Sequence, residues 1–354
     1  MRSKFLAVLL VCLVVLAIVP SPVRAAETIK LSYANYFPPT HPSAVLAGQF
    51  CEEVKKRTNG RIDISYYPGG TLATGPKVFN SVVQGLADIG LSATPYNRGR
   101  FPVTEVLDLP HGFPSAWVSG HVQNDFYAKF KPKEWDDVHI LYFHSVGPFL
   151  LNTLKKQVKT LEDLKGLKIR AQAGIADTVK ALGATPIPLE QADVYESLRR
   201  GVIDGVFGPF EVLQGWKFGE LCKFTTLSWQ VGSCATFYVV MNKQKYASLP
   251  PDLKKIFDDV SAEYRDKFLV MWNQTDIDGK KFFMEKGGQT IPLSDAEAAR
   301  WVKAVQPVLT DYKESMVKKG YAAKDIDGYF SFIKERIGYW SKIEKERKIP
   351  TTSY

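Results

Sequence analysis

From residue 29 to 33 the chain reads Ile-Lys-Leu-Ser-Tyr, apolar and polar in alternation, which is the period of a half-buried strand. Pro38, Pro39 and Pro42 end it. From residue 43 onward Ala47, Phe50, Cys51 and Val54 recur at helical spacing until Asn59-Gly60 stops them. Residues 61–67 then predict a second strand, closed by Pro68-Gly69-Gly70. A β-α-β opening of this kind predicts a mostly parallel sheet.

The pattern then repeats. Val78-Phe79, Ser81, Val82, Gly85 and Asp88 match Val194-Tyr195, Ser197, Leu198, Gly201 and Asp204 at a constant offset of 116. Each copy reads as an amphipathic helix stopped by glycine, a turn through aspartate, and an apolar strand, at 89–91 and at 206–207. One copy in each half of the chain predicts two related α/β domains. Ligands of open α/β sheets bind beyond the carboxyl ends of strands, so residues 92–96 and 208–211 are expected to face a common cleft. Between Pro250-Pro251 and Gly287, Leu253, Ile256, Phe257, Val260, Tyr264 and Phe268 keep helical register with only Gly279 interrupting. Such a helix, roughly 50 Å long, is long enough to run across both domains. Two further helical patterns, 294–319 and 323–346, finish the chain without a new sheet.

The N-terminus changes the picture of where this fold works. Arg2 and Lys4 precede an uncharged apolar run over 5–19 that ends at Pro20-Ser21-Pro22. The run is shorter than the ~20 residues a membrane helix needs, and small residues around Ala25 follow, so 1–25 is expected to be a cleaved signal peptide. The mature chain is expected to be soluble and outside the cytoplasm. Loss of Arg2, Lys4 and Arg24 takes the 46 Lys and Arg to 43 against 37 acids, a net +6 spread along the chain. That excess forms no concentrated patch of the kind nucleic acid requires. Cys51, Cys222 and Cys234 remain; Cys51 sits on the apolar helix face, and Cys222 and Cys234 either bridge or stay reduced.

Motifs for chemistry are missing. The histidines at 41, 111, 121, 139 and 144 form no His-x-x-x-His pair, and there is no Cys-x-x-Cys, so no metal or other cofactor is expected. Residues 70–77 imitate a phosphate loop, but Pro76 precedes the lysine and Val78 stands where a hydroxyl is needed. No Gly-x-Ser-x-Gly or dinucleotide motif is present.

The stretch Leu167-Lys168-Ile169-Arg170, then Leu182-Gly183-Ala184-Thr185-Pro186, then Val194-Tyr195 with Val202-Ile203-Asp204-Gly205 resembles the solute-binding subunits of tripartite ATP-independent periplasmic (TRAP) transporters, the DctP-type family. Thr58-Asn59-Gly60-Arg61, Leu107-Asp108-Leu109-Pro110 and Tyr238-Val239-Val240-Met241-Asn242 extend the likeness over the mature chain. The resemblance implies a two-domain periplasmic-binding-protein (Venus-flytrap) fold with a long helix spanning both domains. On that basis 26–146 with 234–275 form domain I, and 147–233 with 276–354 form domain II. It further implies a non-enzymatic receptor that hands a small organic acid to the small and large multi-span subunits of a membrane permease. The expected state is a monomer.

In the family the arginine after the Lys-Ile pair clamps the ligand's carboxylate, which implies that role for Arg170. A guanidinium suits it, offering a planar fork that keeps its charge. Gly208-Pro209 stands where many relatives have Asn-Pro, and Phe149 where sialic-acid-binding relatives place a second arginine. One motif arginine, with Phe37, Tyr96, Phe149, Phe210 and Trp229 expected near the cleft, points to a monoanionic carboxylate or sulfonate with an apolar or aromatic body; each of these rings suits a core position equally well. Gln172 and Gln191 either hydrogen-bond ligand hydroxyl or keto groups or face solvent. His41 either lines the loop or caps the helix after it. Two other readings stay open, a secreted α/β hydrolase or lyase and a ligand-binding sensor module.

Overall fold

The computed structural model describes residues 28–172, 174–352 and 354; the expected signal peptide, 1–25, lies outside them. Two separate sheets carry the chain. The first is built from β1 (Ile29–Asn35), β2 (Ile62–Tyr67), β3 (Ile89–Ala93) and β4 (Val138–Ser145), joined late in the sequence by a returning strand, Thr236–Asn242. The second holds β5 (Leu150–Thr153), β6 (Lys168–Arg170), β7 (Thr185–Ile187), β8 (Gly205–Gly208), β9 (Phe224–Leu227) and, after the returning strand β10, β11 (Gln289–Pro292). Their orders are β2-β1-β3-β10-β4 and β11-β9-β5-β8-β6-β7. In the first sheet β1 runs parallel to β2 and β3, and β10 lies antiparallel to both β3 and β4. In the second, β8, β6 and β7 are parallel and β5 is antiparallel to β8 and β9.

The opening β-α-β forms as its pattern requires. Helix α1 (Pro42–Arg57) starts on a proline, whose missing N–H costs nothing there, and its last turn carries Lys55, Lys56 and Arg57 against the negative end of the dipole. Ala47, Phe50, Cys51 and Val54 are all buried under the first sheet. A side chain such as Phe50, with no exposed surface, contributes about 1.5–3 kcal/mol by leaving water.

The internal repeat survives down to its hydrogen bonds. Helices α2 (Val78–Val83) and, in the second sheet's layer, Val194–Arg199 end at Gly85 and Gly201, with φ of 74° and 69°. Only glycine takes that left-handed turn without strain. Asp88 then accepts the backbone N–H of Ser32 at 2.8 Å, and Asp204 accepts that of Lys168 at 2.8 Å. Each aspartate thereby ties its own strand to the parallel neighbour.

The remaining helices are α3 (Ala116–Phe130), α4 (Ala176–Ala181), α5 (Val194–Arg199), α6 (Glu211–Gly215), α7 (Lys243–Ser248), α8 (Pro251–Glu285), α9 (Asp295–Lys318) and α10 (Ala323–Glu346). The 35-residue α8 packs on α1, α3 and β4 in the first lobe and on α6 in the second. With the β4-to-β5 and β9-to-β10 connections it makes three crossings between the lobes.

One expectation needs correction, and one open alternative is decided. The sequence placed 276–354 with the second sheet, but α10 lies along α3 of the first lobe. The reason is aromatic packing: Phe126 and Phe130 of α3 meet Tyr329 and Phe332 of α10 at ring separations of 4.7–6.4 Å, counting the Phe126–Phe130 pair itself. The optional Cys222–Cys234 bridge is absent; both are free buried thiols in different apolar clusters.

Candidate functional site

The carboxyl ends of β1, β6 and β8 converge on one small cavity between the lobes. Tyr36 and Phe37 leave β1, Phe237 stands on β10, and Arg170, Gln172, Gln191, Glu211 and Trp216 face them from the second lobe. The cavity is small, about 30 Å³. A larger groove of about 790 Å³ lies on the outer face between α1 and α8, lined mainly by side chains such as Val45, Leu46, Val270 and Met271. It is open to solvent and has no buried charge, so the smaller cavity is the better candidate.

Arg170 ends β6 and is 3% exposed. Its Nε and Nη2 donate to the carbonyl of Leu189 at 3.2 and 2.9 Å. Among the described residues no carboxylate forms an ion pair with it. Burial pulls its pKa below the usual guanidinium value, opposed by the nearby Tyr96 and Tyr36 hydroxyls. A buried cation without an anion is costly, and a carboxylate ligand relieves that cost. Gln172 and Gln191 are both buried beside it, and Gln172 Oε1 has no hydrogen-bond partner among the described residues.

Five of the nine residues expected at the site come together on the cavity wall: Phe37, Phe149, Arg170, Gln172 and Gln191. Tyr96 stands just behind, its ring edge-on to Tyr36 at 5.5 Å. Burial raises the pKa of both tyrosines, so their hydroxyls remain donors. His41 is displaced to the adjoining wall, where its Nδ1 accepts the Ser43 N–H at 3.1 Å and caps α1. Phe210 is not in the lining. It has no exposed surface and stacks on Tyr354 at 6.2 Å, because its backbone passes close under α8 and turns the ring into the core. Trp229 is also outside, half-buried against the apolar cluster around Leu150.

Six lining residues escaped sequence reasoning, Tyr36, Val146, Val212, Trp216, Ala235 and Phe237, and Glu211 was given no role of its own. Tyr36 and Glu211 each adjoin a residue that was singled out, and the stretch 208–211 was itself expected at the cleft. Trp216 and Phe237 carried no local signal beyond being aromatic. Glu211 is the more consequential, since it receives a hydrogen bond from His41 Nε2 at 2.6 Å across the lobes.

The chain is similar to known proteins over most of its length. Residues 33–315 match the model of the DctP family, described as bacterial extracellular solute-binding protein, family 7. The 2,3-diketo-L-gulonate-binding periplasmic protein YiaO of Escherichia coli is 29% identical over 284 residues, 77% of this chain and 84% of its own. A TRAP periplasmic solute-binding protein of Desulfovibrio salexigens is 32% identical with a TM-score of 0.77, over 88% of this chain and 96% of that one. A TRAP solute-binding protein of Rhodoferax ferrireducens, crystallised with copurified benzoate, is 27% identical with a TM-score of 0.83, over 89% and 99%. The family works by solute capture for a membrane permease and not by catalysis. This chain belongs to the bacterial extracellular solute-binding proteins of family 7, the DctP-type receptors of TRAP transporters.

Proposed function

We propose that this receptor captures a small monoanionic organic acid with an apolar or aromatic body and that Arg170 clamps the acid group. One observation carries the reading: a buried arginine at the wall of an interlobe cavity, with no carboxylate of the described residues paired to it. The body of the ligand lies against Tyr36, Phe37, Phe149, Trp216 and Phe237, which supply ring faces and edges. Gln172, Gln191 and the tyrosine hydroxyls bond to its polar substituents. The benzoate of the Rhodoferax relative and the sugar-derived keto acid in the name of the Escherichia coli relative bracket the ligand class.

At about 30 Å³ the cavity is narrower than a benzoate ring requires. Entry therefore needs the lobes to part about their three crossings, dividing near 146/147, near 233/234 and within α8. Closure then removes water from the acid and strengthens its contact with Arg170 as the local dielectric falls. In this reading the leader at 1–25 is cleaved on export to the periplasm, and the monomer delivers its ligand unchanged to the two permease subunits.

Calorimetry tests the assignment. With benzoate, 2-oxovalerate and the wider organic-acid library as probes, Arg170→Ala is expected to weaken binding at least about 100-fold, the scale for removing one partner of a buried charge pair. Unchanged affinity in a folded variant overturns the role of Arg170.

A further inference from the structure

Among the described residues that line the cavity, two carry a formal charge, Arg170 and Glu211. Glu211 opens α6, is 3% exposed, and lines both the interlobe cavity and the cleft that adjoins it. Its Oε1 accepts from His41 Nε2 at 2.6 Å. His41 Nδ1 is already used as the acceptor of the Ser43 N–H, so the ring proton sits on Nε2 and the imidazole is the neutral tautomer. The histidine therefore holds the carboxylate in place without cancelling its charge. Behind it stands a second buried acid, Asp276, whose Oδ1 accepts the backbone N–H of Glu211 at 2.9 Å. No lysine or arginine is paired with either carboxylate among the described residues.

The charges of Arg170 and Glu211 act on one point. The Tyr36 hydroxyl has its pKa raised chiefly by burial, then by Tyr96 and by Glu211, while Arg170 lowers it. Arg170, Tyr36 and Glu211 line the same cavity of about 30 Å³, so a ligand with its acid group on Arg170 has the Glu211 carboxylate on the wall that holds the rest of its body. A second acid group there would meet like charge in a water-poor space, where such repulsion costs several kcal/mol.

We propose that Glu211, positioned by His41, is the specificity residue of this receptor: it excludes dicarboxylates and so restricts the site that Arg170 opens to anions of a single charge. This rests on the organic-acid reading above and narrows it.

The test uses the full-length mature chain and two matched pairs of probes, benzoate with isophthalate and 2-oxovalerate with 2-oxoglutarate. For whichever monoacid binds, the wild type is expected to take its diacid at least 100-fold more weakly. Glu211→Gln, checked for folding by circular dichroism, is expected to narrow that gap at least tenfold by gaining affinity for the diacid. Glu211→Asp keeps the charge and is expected to keep the gap. A gap unchanged in Glu211→Gln overturns the proposal, as does a wild type that binds both members of a pair equally, a result that needs no variant to fold. Both of those outcomes leave the organic-acid reading standing. If the wild type binds no acid of the pairs or of the wider library, that reading falls and the proposal with it.

Discussion

Gly279 of α8 and Phe210 at the start of α6 are in backbone contact: a Cβ on residue 279 would lie 2.2 Å from the Phe210 carbonyl oxygen. The long helix can cross the second lobe only because that side chain is missing. Gly279→Ala sets two effects against each other. Alanine favours a helix interior by about 1 kcal/mol, whereas a methyl group forced against main chain costs about 1–3 kcal/mol. The obstacle is backbone and not the end of a flexible side chain, so the clash is expected to win. Urea denaturation should show a lower midpoint, and acid binding should weaken as α6, which carries Glu211, is pushed from its seat. An equal or higher midpoint would mean that the two helices separate at no cost.

Much of this arrangement was legible in the chain. Local periodicity predicted the β-α-β opening, and the offset of 116 exposed the paired units because Gly85 with Gly201, and Asp88 with Asp204, do the same backbone work in each. Gly279 was visible as an interruption of α8, but its purpose was not, since a sequence does not say what passes beside a helix. The same gap explains the site. Arg170, Gln172 and Gln191 lie on short segments whose direction is fixed by β6 and the turns after it. Whether Phe210 faces cavity or core is instead decided by α8, some seventy residues away. The packing of α10 on α3 is likewise a long-range aromatic match that no local pattern announces.

The three cysteines of the described chain are expected to stay reduced and unreactive. Cys51, Cys222 and Cys234 are all buried, and burial pushes each thiol pKa up, for Cys222 to about 12. Thiolate is the reactive form, so disulfide exchange with an aromatic disulfide reagent should be negligible at pH 8. Full labelling is expected once denaturant is added. Rapid labelling of the native protein would contradict this placement, and recovery of a Cys222–Cys234 bridge would require the two apolar clusters to rearrange.

Asp108 links the 3₁₀ turn after β3 to the start of β10. It accepts from the Thr94 hydroxyl at 2.6 Å and from the Thr236 backbone N–H at 2.8 Å. Burial pushes its pKa up to about 7, although both hydrogen bonds oppose the rise. An unfolded aspartate ionises near pH 4. Between these values the folded state holds a proton that the unfolded state has lost, so the contribution of Asp108 is complete below pH ~4 and lost as pH rises to about 7. Asparagine does not titrate, can still accept from the Thr236 N–H, and can donate its amide to the Thr94 oxygen. The stability of Asp108→Asn relative to wild type should therefore rise with pH by about 1.4 kcal/mol per unit across that window and level off above it. Differencing against wild type removes the titrations of His111, His121 and His144, whose pKa values burial lowers to about 4, 4 and 3 and which would otherwise tilt the profile in the opposite direction. Chemical denaturation from pH 4 to 9 provides the measurement. A difference that is flat with pH would mean that Asp108 is ionised in the native fold, with its two hydrogen bonds sufficient to hold a buried carboxylate charge between the turn after β3 and the start of β10.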